Sequence, residues 1–410
     1  MEKLHKRAIS ILLAGVFFNL SVGVLYSWSV LKLALQDMQG WTAKQAGTPY
    51  TLCIIMFSVG AFIGGRLQDK YGPRWVVTTG GILVGLGLLF SGFFSTSPAG
   101  VLVGFGILTG LGIGLGYSSV TPPAFKWFHA SKKGFVSGFI VGGFGFGAVF
   151  YAPLTGVLLN NFNIAQTFLI LGAGVLIIST TIAQLVTNPP AGYVALEPKK
   201  VKKVKSKEQQ PTVPIDHTWK EMIQTKQFYF MITLFLFLSS AGMMIIGNIT
   251  RIASLQAGMT STTILVSFLA LMNFGGRFMG GALSDKIGRI NMLFVIIILQ
   301  AINMSLFRFY THEISIAIGI ILAGTSYGAI LGTFPALTAD QFGLKYYGFN
   351  FGIVYMFWGL SAVLAPLLAD YFFDIHGNFE IIYNLCAGSM VVMGVVNYFF
   401  KRLTEQSIKK

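Results

Sequence analysis

Residues 271–289 read LMNFGGRFMGGALSDKIGR, and a single arginine, Arg277, stands among apolar and small residues. An arginine at the centre of a membrane helix costs on the order of 3 kcal/mol on insertion scales. Its planar guanidinium can bind a carboxylate through two parallel hydrogen bonds. The residue type and its place therefore predict an anion-binding side chain whose counter-charge is a substrate carboxylate.

Two other roles are open to Arg277, an anchor at the membrane surface and a structural ion pair. Arg277 precedes Asp285 by eight residues, which places it roughly 12 Å along a helix from the polar turn, too far for the side chain to reach the surface. The acidic residues and histidines of the sequence fall in tails, loops or the ends of the apolar segments, so none is expected at the same depth. This distribution favours the substrate role.

Other side chains could complete a carboxylate site. Asn273 lies four residues before Arg277, on the same helix face, and could bind the substrate or orient the guanidinium. Tyr117 and Tyr327 occupy comparable places in the two halves of the chain, and a buried tyrosine hydroxyl needs a partner such as a hydroxy acid. Further candidates, for which packing or lipid contact is the alternative, are Tyr26, Trp28, Asn248, Tyr355, Phe357 and Trp358.

The elements that must position these residues are membrane helices. The chain has 410 residues, of which 54% are hydrophobic and 10% charged, against roughly 25% charged in a soluble protein. Apolar runs of about 20 residues, enough to cross a bilayer, recur throughout. They predict an all-α integral membrane protein with twelve spans in two pseudo-symmetric six-helix bundles, a first bundle at 1–187, a linker at 188–226 and a second bundle at 227–410. The predicted spans are 9–33, 46–66, 75–95, 99–124, 134–158, 164–187, 227–250, 262–283, 290–310, 313–339, 347–370 and 379–400. The basic, apolar start is predicted to be the first span and not a signal peptide.

The formal net charge of +15 indicates orientation and not nucleic-acid binding. With both termini and the lysine-rich linker on one side, 24 of the 29 Lys and Arg residues fall there, and four fall on the other. Positive loops stay in the cytoplasm, so both termini are predicted to be cytoplasmic in a protein of the cell (inner) membrane. Cys53 and Cys386 lie in apolar spans, so neither a metal site nor redox chemistry is indicated.

An internal repeat relates the two predicted bundles. GGRLQDKYGPR at 64–74 parallels GGALSDKIGR at 280–289, which pairs Asp69 with Asp285. The segment 134–153 parallels 348–366, which pairs Gly134 with Gly348. Repeated halves of this kind are typical of transporters, whose substrate sites lie between the halves near the midplane.

At these motifs the chain resembles the Major Facilitator Superfamily. Within it, GVLYSWSVLKLALQD at 23–37 and the spacing of Arg277 to Asp285 resemble monocarboxylate transporters and bacterial relatives of the oxalate/formate antiporter type. The resemblance implies alternating access, in which two bundles rock about a central site. It also implies gating salt bridges formed by Asp69, Arg74, Asp285 and Arg289 when the cytoplasmic side is closed.

The resemblance also bears on the substrate and on coupling. Oxalate/formate-type antiporters carry a second cation, a lysine, at the place of Val354, so the single cation here favours one carboxylate, such as lactate or pyruvate. Proton symport follows mainly from the resemblance, and Asn273, where animal monocarboxylate transporters have an aspartate, cannot titrate. Exchange of one carboxylate for another is the alternative. The expected partners are a small carboxylate, protons and the lipid bilayer. No cofactor, metal or enzymatic activity is expected, and the family is commonly monomeric.

Overall fold

The computed structural model describes residues 2–195, 216–259 and 263–409, and within these ranges the regular elements are all helical. Eleven of the described helices are long and apolar enough to cross a membrane, and α8, which carries Arg277, adds a twelfth long helix of 25 residues. The long helices are α1 (Leu4–Gln39), α2 (Ala43–Tyr71), α3 (Pro73–Phe93), α4 (Pro98–Trp127), α5 (Ala130–Asn161), α6 (Ile164–Ala183), α7 (Lys226–Ala257), α8 (Thr263–Ile287), α9 (Arg289–Phe307), α10 (Glu313–Phe342), α11 (Tyr347–His376) and α12 (Glu380–Gln406). The predicted fold class is confirmed.

Several helices run beyond the predicted apolar spans. The second span, predicted at 46–66, begins at Ala43, because Thr42 and Gln45 form a capping box there, and it ends at Gly72 with φ +85°. The eleventh span continues to His376 and ends at the left-handed Gly377. Hydrophobicity marks only the lipid-facing length, whereas capping residues fix the ends. Of the predicted linker, residues 196–215 lie outside the described residues.

Two spans depart from α-helical geometry. Within α1, residues Gly23–Ser27 form a 3₁₀ segment, and within α4, residues Leu102–Thr109 form a π-helical one. At the 3₁₀ segment α1 approaches α5 closely, since a Cβ added at Gly23 would lie 3.0 Å from the Cα of Gly147. Irregular turns inside long helices are frequent at functional positions. The 3₁₀ segment of α1 carries Tyr26.

The two halves meet along α2 with α11 and along α5 with α8. Glycines bring the backbones together, because a Cβ added at Gly65 would overlap the carbonyl oxygen of Gly348, and one added at Gly134 would overlap that of Gly281. These contacts lie at the end of the bundle that carries the turns 66–74 and 285–289, which we call the motif face; the opposite end is the far face. The halves are therefore closed on the motif face.

The repeated aspartates complete this closure in equivalent ways. Asp69 accepts hydrogen bonds from the backbone N–H groups of Gly348 and Phe349, at 3.1 and 2.8 Å. Asp285 accepts from those of Gly134 and Phe135, at 2.8 and 2.7 Å. Each carboxylate thus caps the start of a helix in the opposite half, where free N–H groups and the helix dipole favour negative charge.

Candidate functional site

Arg277 is buried between the two halves, with 2% of its surface exposed. Its Nε donates to Oδ1 of Asn273 at 2.9 Å, one terminal nitrogen donates to the carbonyl oxygen of Val141 at 3.0 Å, and the other lies 3.5 Å from the hydroxyl of Tyr26. All three acceptors are neutral. Among the described residues, no carboxylate lies within the 4.0 Å that defines a salt bridge with this guanidinium.

Glycines of α5 and α10 make room for this helical turn. A Cβ at Gly138 or at Gly332 would overlap the carbonyl oxygen of Arg277. The repeat gives Gly352 the place of Gly138, and Gly352 packs against the carbonyl oxygen of Ala61. Ala61 is therefore the counterpart of Arg277 in the first half, so the repeat places a cation in only one of its two copies.

Aromatic rings from both halves cover the guanidinium. Its central carbon lies 5.8 Å from the ring centre of Phe144, and the ring of Phe144 lies 5.4 Å from Tyr26 and 5.5 Å from Tyr117. Tyr117 lies in turn 5.3 Å from Tyr355 of the second half. The predicted tyrosines of α1, α4 and α11 therefore belong to one cluster, next to the predicted arginine.

Hydroxyl groups in this cluster differ in their bonding. Trp358 donates from its indole N–H to the hydroxyl of Tyr327 at 2.8 Å, and both side chains are buried. The hydroxyl of Tyr117 is also buried, near that of Tyr355, but it makes no hydrogen bond of regular geometry among the described residues. An unpartnered buried hydroxyl is costly, so Tyr117 offers an unused donor and acceptor at the centre of the protein.

Three predicted site residues make their described contacts elsewhere. Trp28 donates its indole N–H to the carbonyl oxygen of Ala46 and packs on Phe105 within the first half. Phe357 packs against Phe228 of α7. Asn248 is buried and bonds the carbonyl oxygen of Met244 on its own helix.

Two partners of Arg277, Val141 and Phe144, and a ring beside Phe144 were not predicted from the sequence. The carbonyl oxygen of Val141 is a backbone group and leaves no signal in residue type. Phe144 and Phe57, whose rings lie 5.5 Å apart, resemble the many other aromatic residues of the chain. The only signal for Phe144 in the sequence is that it lies in the glycine-rich run GGFGFG at 142–147, which follows Val141 directly.

The predicted gating residues of the second half form ion pairs, whereas those of the first half bond to neutral groups. Asp285 pairs with Arg289 at 2.6 Å, and Arg289 also reaches Asp340 at 3.0 Å. Asp340 pairs in turn with Lys133 of the first half at 2.9 Å, a link between the halves that sequence reasoning missed. The expected association of Arg74 with Asp69 is corrected by the structure, since Arg74 turns toward α6 and donates to Gln184 at 2.9 Å.

The arrangement can bind a small anion but offers no evident catalytic group. An amide, several phenols and an indole accompany the guanidinium in this cluster, and its present acceptors are neutral. Within the described part of the chain, no group of three or more His, Cys, Asp or Glu side chains could hold a metal ion.

Twelve membrane helices in two similar halves around a buried polar centre define a membrane transport protein. The chain belongs to the Major Facilitator Superfamily, whose family profile matches residues 9–366. The oxalate:formate antiporter of Oxalobacter formigenes is 28% identical over 88% of this chain and 83% of its own length. Escherichia coli (strain K12) YhjX, an uncharacterized MFS-type transporter, is 26% identical over 86% and 85%. Rat monocarboxylate transporter 12 is 22% identical over 84% and 74%. The crystal structure of the transporter FucP in the outward conformation has a TM-score of 0.71 at 15% identity, covering 95% of this chain and 98% of that one, which shows the shared fold.

Proposed function

We propose that this protein is a secondary transporter that moves a short monocarboxylate, such as L-lactate or pyruvate, together with a proton by alternating access. The observation that carries the proposal is the buried guanidinium of Arg277 with neutral acceptors only. A charge at that depth is stabilised most effectively by an anion brought in by the substrate. Val141 and Asn273 hold the guanidinium in place, so it is preorganised to bind a carboxylate.

The number of charges supports a substrate with one carboxylate. Val354, at the place where the resemblance would put a second cation, is apolar and fully buried. The unpartnered hydroxyl of Tyr117 could bond the hydroxyl or keto oxygen of a lactate- or pyruvate-sized acid. Relatives named as monocarboxylate transporters are consistent with this substrate class.

The proposal includes an orientation. The motif face carries most of the Lys and Arg residues outside the spans, which supports placing it, and both termini, in the cytoplasm of a cell (inner) membrane protein. The described conformation, with its motif face closed and Arg277 only 2% exposed, is then closed to the cytoplasm. The ion pairs of Lys133, Asp285, Arg289 and Asp340 act as a gate that must break when the carrier opens inward.

Exchange of one carboxylate for another is a second candidate, favoured by a specific observation. The acceptor beside Arg277 is the amide of Asn273, which cannot take up a proton, and the described residues place no acid within 4.0 Å of the guanidinium. The oxalate:formate antiporter among the relatives is consistent with exchange.

Uptake of labelled L-lactate by vesicles containing the purified protein tests the proposal. We expect uptake to rise when the outside is acidified, and Arg277→Ala to reduce uptake to the level of protein-free vesicles. Arg308→Ala is the matched control, because Arg308 lies beyond the end of α9 and stacks on Phe309. This control should transport normally.

Two results would contradict parts of the proposal separately. Normal uptake by Arg277→Ala would remove the carboxylate site. Uptake that needs unlabelled lactate inside the vesicles, and does not respond to pH, would replace symport with exchange while leaving the site intact.

A further inference from the structure

A basic groove opens on the motif face, away from the central site. Its volume is about 480 Å³, and it lies between the end of α2, the short helical turn Trp219–Met222 and the start of α11. The groove is lined by Arg66, Asp69, Lys70, Thr218, Trp219, Lys220, Tyr346 and Phe349. It therefore touches the first half, the end of the linker and the second half together.

The cations of this groove have no acidic partner among the described residues. In the described part of the chain, no acidic oxygen lies within 4.0 Å of Arg66, Lys70 or Lys220. Arg66 instead lies over the ring of Phe349 at 5.6 Å, and Lys220 lies over that of Trp219 at 5.7 Å. Three cations and one carboxylate give the lining a formal net charge of +2.

The nearby acids already have partners. Both oxygens of Asp69 accept backbone N–H groups of α11. Glu221 accepts from the backbone N–H and the hydroxyl of Thr218, at 2.7 and 2.9 Å, and these bonds hold the pKa of Glu221 below its usual value. The three cations thus remain available to an anion from outside the protein.

The surroundings of the groove are those of a membrane surface. Trp219 is 40% exposed, and Tyr71 and Trp75, on the neighbouring turn of the first half, are 58% and 72% exposed. Tryptophan and tyrosine are enriched at the level of lipid headgroups. Basic pockets between membrane helices suit phosphate-bearing headgroups.

We propose that this groove binds the headgroup of an anionic phospholipid, whose phosphate lies among Arg66, Lys70 and Lys220. A lipid seated there contacts α2 of the first half, Trp219 at the end of the linker and Phe349 of the second half. It therefore stabilises the arrangement in which the motif face is closed, because a ligand favours the state in which it makes more contacts. The proposal does not depend on the identity of the transported substrate.

Binding of labelled phosphatidylglycerol to the whole purified protein in detergent tests this proposal. Arg66→Gln combined with Lys220→Gln should weaken binding roughly tenfold or more, since a basic residue near a charged lipid surface contributes about 1 kcal/mol. The matched control is Lys132→Gln combined with Lys286→Gln, which removes two cations from the same face but outside the groove. The control should bind like the unaltered protein.

The outcomes separate the possible ligands. Phosphatidylcholine should bind at least about tenfold more weakly than phosphatidylglycerol, and inorganic phosphate should not displace the lipid. Equal binding of both lipids, displacement by inorganic phosphate, or equal losses in the two double variants would each overturn the proposal. Elution as a single species in size-exclusion chromatography shows that each variant is folded.

Discussion

Arg277 donates from its Nε to the side-chain oxygen of Asn273 over 2.9 Å, one helical turn away on α8. The acceptor is a neutral amide, so this bond fixes the direction of the guanidinium and leaves its charge uncompensated. In the first half the repeat places Ala61 at the equivalent position, where no such pair can form. The centre of the protein is therefore asymmetric in charge although its helices are symmetric.

Asn273→Ala should raise the half-saturation concentration for lactate about tenfold or more, because a hydrogen bond to a charged group contributes roughly 1.5–3 kcal/mol. Initial uptake rates at varied lactate concentration measure this change. Asn291→Ala removes an exposed amide that bonds the carbonyl oxygen of Ile287 near the end of the same helix, and it should leave the concentration dependence unaltered. An unchanged value for Asn273→Ala would show that the guanidinium needs no orienting partner.

Tyr117→Phe should reduce the preference for lactate over propionate, which lacks the hydroxyl group, by about threefold to tenfold. The removed hydroxyl has no protein partner, so thermal stability should stay the same or rise. In Tyr347→Phe the hydroxyl that bonds the carbonyl oxygen of Pro335 is lost, which should lower stability and leave the preference intact. Competition between labelled lactate and propionate, with thermal unfolding of each variant, measures both effects. An unaltered preference in Tyr117→Phe would remove this residue from the site.

Gly281→Ala should hinder closure of the motif face, because the added methyl group would overlap the carbonyl oxygen of Gly134. Overpacking of this kind costs about 1–3 kcal/mol, enough to raise the open population about tenfold. A cysteine at the buried position Ser137, whose hydroxyl donates to the carbonyl oxygen of Gly332 in the second half, reports opening through its labelling rate with a maleimide. Gly275→Ala on the same helix meets nothing within 4 Å and should label at the parent rate. Equal rates in both variants would show that close glycine packing does not control the gate.

Arg289→Gln should also speed labelling at position 137 and lower thermal stability. The substitution removes the cation that pairs with Asp285 and one of the two cations that pair with Asp340, the other being Lys133. Loss of one partner from a partly buried ion pair costs on the order of 1–3 kcal/mol. Arg74→Gln breaks only a bond to the neutral Gln184, so it should behave like the parent. Similar effects of Arg289→Gln and Arg74→Gln would mean that the two copies of the motif contribute equally to closing the motif face.

The sequence was most informative where one residue type stands out against its surroundings. A lone arginine among apolar residues located α8 and its polar centre, and the paired motifs predicted that Asp69 and Asp285 are equivalent. The partners of these residues could not be predicted, because they depend on how distant helices pack. Lys133 and Asp340 are 207 residues apart in the sequence. The acceptor that Val141 offers to Arg277 is a backbone carbonyl oxygen.

Trp28 shows the limit in another way. It lies two residues after Tyr26, and in a regular α-helix a separation of two residues corresponds to about 200° of rotation. The 3₁₀ segment Gly23–Ser27 ends just before Trp28, whose side chain lies in the core of the first half. The spacing therefore places the two rings on different sides of the helix, but it does not show which of them faces the site.

The five residues Gly23–Ser27 form a segment about which the two ends of α1 can rotate against each other. A 3₁₀ helix turns about 120° per residue and an α-helix about 100°, so conversion of Gly23–Ser27 to α-helix would rotate one end of α1 against the other by roughly 100°. Such a rotation would move the phenol of Tyr26 away from the guanidinium of Arg277. One end of α1 would keep its packing while the other end turned. A transporter with such a segment can change its contact with the substrate by rewinding one turn of α1, without tilting the whole helix.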